Sequence, residues 1–136
     1  MLAAEILPHN RIHTAISQTS LLNDASSRFN EGLLVNIVDL GANVLYVDAA
    51  YYVNLYTSSP GSYSFDNATT PVCTSVDAGN GIGIGTGQVN SALCTTATLL
   101  PSANQNKYVF ADAVYLTPSA HRQLGDYAYD RLRARW

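Results

Sequence analysis

Tyr108-Val109-Phe110-Ala111-Asp112-Ala113-Val114-Tyr115-Leu116-Thr117-Pro118-Ser119-Ala120-His121 is the stretch whose reading decides the fold. An unbroken apolar run from Tyr108 to Ala111 suits a strand buried on both faces, with Asp112 at its carboxyl end. Thr117-Pro118 then offers a hydroxyl cap followed by a proline at the first helical position. Ala120, Leu124, Ala128 and Leu132 fall on one face beyond it, which predicts a helix to about Arg133 with arginines near the end of its dipole. In open α/β sheets ligands bind beyond the carboxyl ends of strands, so Asp112 and the loop after it are the first candidates for a site.

Upstream, Phe29, Leu33, Ile37 and Leu40 recur at helical spacing, with Asp24 in the first turn and Gly41 where a terminating glycine belongs. Asn43-Val44-Leu45-Tyr46-Val47-Asp48 follows as a second short apolar run. A helix, a tight turn and a buried strand make one crossover half of an α/β sheet. Ala49 to Tyr56 turns back as a helix until Ser58-Ser59-Pro60-Gly61 ends it. From Pro60 to Asn106 the chain reads as a long irregular excursion, a length that is usually functional or stapled. The first 20 residues show no firm period and read as an opening segment.

Composition narrows the function classes. The chain has 136 residues, 47% of them apolar and 12% charged, so it is a folding chain rather than a disordered one. Seven Lys and Arg, against ten Asp and Glu, leave too little positive surface to hold a nucleic-acid backbone. No window is apolar enough to span a bilayer. Met1-Leu2-Ala3-Ala4-Glu5 has neither the positive start nor the apolar core of a signal peptide, so the chain is expected either to be cytosolic or to be less than the export-competent product.

Cys73 and Cys94 bracket a hydroxyl-rich, nearly uncharged stretch of the kind found in exported proteins. A bridge between them would close a loop of about 20 residues, worth roughly 3 kcal/mol; the alternative is two separate thiols. Their spacing does not suit zinc. His9 and His13 stand four apart, but Pro8 and Asn10 argue against a helix that would join them as metal ligands. The run Gly79 to Gly87 fits no phosphate-binding frame and reads as a surface loop, and Asn67-Ala68-Thr69 is a glycosylation pattern that marks a loop at most.

The block Tyr108-Val109-Phe110-Ala111-Asp112, then Thr117-Pro118 and His121, resembles the C-terminal block of the GDSL (SGNH) esterase and lipase family, in which an apolar strand leads into Asp-x-x-His and a helix. Pro60, Tyr63, Phe65, Asn67, Thr69 and Cys73 are similar to the middle of its bacterial secreted and autotransporter members. The resemblance covers roughly residues 20 to 135. It implies a single partial domain over residues 1–136, the C-terminal part of a three-layer α/β/α, flavodoxin-like fold with parallel strands and a long irregular insert at 60–106.

Family chemistry is ester hydrolysis on a lipid or small acyl ester through an acyl-serine, with no cofactor. By that resemblance Asp112 takes the position of the triad acid. Tyr115 stands where the family has histidine, and a phenol titrating near 10 is a poor base at neutral pH. His121 is the only nearby substitute, six residues further on. The Gly-Asp-Ser-Leu block of the nucleophile and the oxyanion blocks are absent from these residues. Leu22-Asn23-Asp24 lacks the glycine of the Gly-x-Asn-Asp block, so no oxyanion role passes to Asn23. Ser64 replaces the glycine that relatives carry after the tyrosine.

The reading is therefore the C-terminal part of an ester hydrolase, inactive alone, with secretion or surface display implied by the family. The alternative is a non-enzymatic binding or assembly module that associates with itself or with an N-terminal fragment, because a sheet without its first strands exposes edges and apolar surface.

Overall fold

The periodic stripe through Phe29, Leu33 and Ile37 becomes α1, Ile16–Ile37, in a computed structural model that describes residues 16–136 and side chains from Ser20 onward. The opening segment up to residue 15, with His9 and His13, lies outside the described residues. After α1 a 3-10 turn, Val38–Asn43, is broken at Gly41, whose φ of 55° and ψ of −129° favour a residue without a Cβ. Asp48 then starts α2, Ala49–Ser58: its Oδ1 accepts the Tyr51 N–H at 2.8 Å and so satisfies one of the donors a helix start leaves open. The third helix, α3, runs Pro118–Arg135 with proline first. Thr117 Oγ1 accepts the Ala120 N–H at 3.3 Å and donates to the Tyr108 carbonyl at 2.7 Å.

The expected three-layer α/β/α fold does not form. Helix dominates, and pairing among the described residues is confined to isolated bridges: Asn67 with Tyr108, Cys73 with Leu99, Val76 with Val89 and Phe110 with Leu116. Strand identity is a non-local property, since an apolar run becomes a strand only when a neighbour runs beside it in register. Residues 44–48 take no regular element and bridge to no described residue. Tyr108–Ala111 has neighbours, but no one segment stays beside it along its length. The Val109 N–H goes to the Asn67 carbonyl, the Phe110 and Ala111 carbonyls accept from Val72 and Cys73, and the Ala111 N–H goes to Tyr115. Each bond is sound, and no ladder results.

The chain divides into two units, one made of residues up to Val53 with Leu124–Trp136, the other of Asn54–Gln123. In the first, Tyr52 and Tyr127 stack at 4.0 Å between ring centroids, and the Arg135 guanidinium donates to the Gly41 and Ala42 carbonyls at 2.8 and 3.4 Å. α1 has no buried residue among its described side chains. No helix among the described residues is long and apolar enough to cross a membrane.

The second unit holds the core. Phe65, Val72, Val109, Phe110 and Ala120 are buried, and Tyr56 meets Tyr63 and Phe65 edge-on at 5.0 and 5.3 Å. Each large side chain removed from water contributes about 1.5–3 kcal/mol. Between Pro60 and Lys107 the backbone is organised by short 3-10 turns and by Asn and Asp side chains. Asn67 Oδ1 accepts the N–H groups of Thr69 and Thr70, Asn90 Oδ1 that of Ala92, and Asn104 Oδ1 that of Asn106. These short side chains supply acceptors that a regular ladder would otherwise provide.

Candidate functional site

Asp112 lies at the end of the buried run, as its place in the sequence suggests, and is itself 1% exposed. Both of its carboxylate oxygens accept from backbone. Oδ1 accepts the N–H groups of Val114 and Tyr115 at 2.8 and 2.7 Å, and Oδ2 accepts the N–H of Ser91 at 2.8 Å. The chain reverses here, because Phe110 bridges antiparallel to Leu116 and the Ala111 N–H meets the Tyr115 carbonyl at 2.8 Å. Asp112 therefore closes a tight turn on itself and pins the distant Ser91–Leu93 turn to it. A buried carboxylate that accepts three N–H groups is well placed to hold backbone and has no described side-chain donor.

Tyr115 is tied to Asp112 through its backbone N–H, while its side chain is exposed. His121 lies in the first turn of α3, exposed, with its own N–H given to the Thr117 carbonyl at 3.0 Å. Its ring makes no hydrogen bond among the described residues, and no serine hydroxyl is brought to it. The structure thus gathers Asp112 and the Tyr115 backbone in one turn and leaves both side chains that could move a proton facing solvent.

Cys73 and Cys94 form the disulfide, with Cα atoms 5.9 Å apart. Cys94 stands three residues beyond Ser91, so the bridge and the Ser91–Asp112 hydrogen bond fasten the same turn. Cys73 packs with Val72 and Ala111 in the core, against Leu99 and Tyr108.

A second polar cluster has no counterpart in the sequence reading. Asp77 accepts from Asn90 Nδ2 at 2.8 Å and from the Gly79 N–H at 2.8 Å, and these two bonds, the first foremost, hold its carboxyl below its ordinary value of 3.8. Gly81 passes so close that a Cβ there would press on Asp77 Oδ2 and lie 2.5 Å from Asn90 Nδ2. The one local signal for it in the sequence is Asp77-Ala78-Gly79, a spacing that suits a side-chain-to-backbone turn. Tyr46 is raised above 10.0 by burial first, then by the charges of Asp48 and Tyr127. Among the described residues no group of three His, Cys, Asp or Glu side chains is arranged to hold a metal ion.

A scan against protein-family models, a search of curated proteins and a search of solved structures found no match to this chain.

Proposed function

We propose that this chain carries the acid-bearing block of a GDSL-type ester hydrolase and does not hydrolyse esters by itself. What supports the lineage is the order of short motifs from Phe29 to His121. What carries the inactivity is the state of Asp112. A triad acid must present a carboxylate oxygen to an imidazole N–H, which it orients and stabilises as the imidazolium forms. Here both oxygens serve backbone N–H groups, and the residue three positions on is an exposed phenol. General base catalysis supplies typically 10²–10⁴-fold, and a missing serine nucleophile removes the covalent route as well.

Short-chain nitrophenyl esters test this on the purified chain. Turnover at the buffer rate is expected for the chain, for Asp112→Ala and for Tyr115→His. Turnover above buffer that Asp112→Ala abolishes would overturn the reading.

A second reading, an assembly module, has its own supporting observation. Leu21, Phe29, Leu33, Leu34, Val35, Val38 and Leu40 are all exposed along α1 and the turn after it. So many large apolar side chains left exposed on one helix and its turn are what an interaction surface would use. On this reading the chain associates with itself or with an N-terminal fragment, and an exported or surface-displayed setting has the family resemblance alone as its support.

A further inference from the structure

Within Asn54–Gln123 a cleft of about 480 Å³ lies between the Ser91–Thr96 segment and the start of α3, within the usual range of small-molecule sites. Its chemistry is unusually uniform. Val72, Leu99 and Leu116 give it an apolar floor, the Cys73–Cys94 disulfide lines it, and Ser91, Thr96 and Gln105 add neutral polar groups. Among the described residues no charged or aromatic side chain lines it.

Polar groups nearby are consumed by the fold: Thr117 Oγ1 holds the Tyr108 carbonyl at 2.7 Å, and the Thr95 and Thr98 hydroxyls pair at 3.4 Å. The Ser91 hydroxyl, the Thr96 hydroxyl and the Gln105 amide make no hydrogen bond among the described residues. These hydroxyl and amide groups, able both to donate and to accept, therefore line the cleft beside apolar side chains and are left by the fold for solvent or a ligand.

We propose that this cleft binds a neutral saccharide, which presents its C–H face to Leu99 and Leu116 and its hydroxyls to Ser91, Thr96 and Gln105. An ion would lose its hydration with no counter-charge in return. A plain acyl chain would cover these polar groups and leave them unpaired, a cost that disfavours it against a polyol. A flat aromatic ligand would find no ring to stack on. The site is separate from Asp112, whose carboxylate does not line the cleft, and it does not depend on ester hydrolysis.

The test is an amide ¹H–¹⁵N titration of the disulfide-intact chain with maltose, cellobiose, lactose and sucrose in turn, and with sodium butyrate as an anionic acyl probe. Saturable shifts centred on Ser91, Thr96 and Gln105 are expected with at least one sugar at roughly millimolar concentration, and none with butyrate. Thr96→Val and Gln105→Leu, at exposed positions outside the core, should each weaken that binding about fivefold while leaving the remaining amide spectrum in place. Silence with all the sugars, shifts with butyrate alone, or unchanged affinity in both variants would overturn the proposal.

Discussion

Ser64 holds φ 63° and ψ 21°, the left-handed region, at the end of the 3-10 turn Pro60–Tyr63. A Cβ costs about 1–2 kcal/mol there, offset in part by the greater freedom glycine has in the unfolded chain. Ser64→Gly should therefore raise stability by about 0.5–1 kcal/mol, read as a melting temperature higher by about 3 °C; a fall would show that the turn is held otherwise. Gly81 is the converse case. Gly81→Ala forces Asp77 and Asn90 apart and should cost about 1–3 kcal/mol in urea denaturation. Asp77 also sets a pH dependence. Its folded carboxyl titrates below 3.8, so between the two values the unfolded chain binds more protons. Its contribution is present above pH 3.8, fades as pH falls through the folded value, and is weakened by salt because the group is only half-buried. A carboxyl NMR titration of Asp77 should give a midpoint below that of an unstructured peptide; an equal or higher midpoint would contradict the Asn90 bond.

At the scale of elements, α1 is the piece with the most to explain. Helices in proteins draw most of their stability from a packed face, yet α1 buries none of its described side chains. Gly32 sits mid-helix with nothing within 4 Å of where a Cβ would be. Gly32→Ala should therefore stabilise the helix by about 1 kcal/mol, seen as stronger helical carbon shifts over residues 24–37, and no gain would mean the position is packed. The helices were legible because their signals are local: Phe29, Leu33 and Ile37 at helical spacing, Thr117-Pro118 at a start. Residues 43–48 and 108–111 misled because an apolar run states that it will be buried, not what it will pair with. Likewise Asp112 could be located from sequence, but its partner Ser91 is 21 residues away, and only the folded chain brings that N–H to it. Asp77, Asn90 and Gly81 escaped for the same reason.

At the scale of the whole molecule, loops rather than layers carry the stability of Asn54–Gln123, and two fasteners serve one turn. Removing the disulfide with Cys73→Ser and Cys94→Ser together should cost about 2–5 kcal/mol and expose the Ser91–Leu93 amides to exchange. The apolar residues along α1 predict association, so light scattering should give a mass above 14.6 kDa that Leu33→Glu with Val35→Glu returns to the monomer. The central claim is that Asp112 is committed to backbone and not to catalysis, and urea unfolding of Asp112→Ala measures it most directly. Loss of its charge-assisted bonds, with part-buried N–H groups left unmet, should lower stability by about 3 kcal/mol. A variant as stable as the parent chain would contradict that claim.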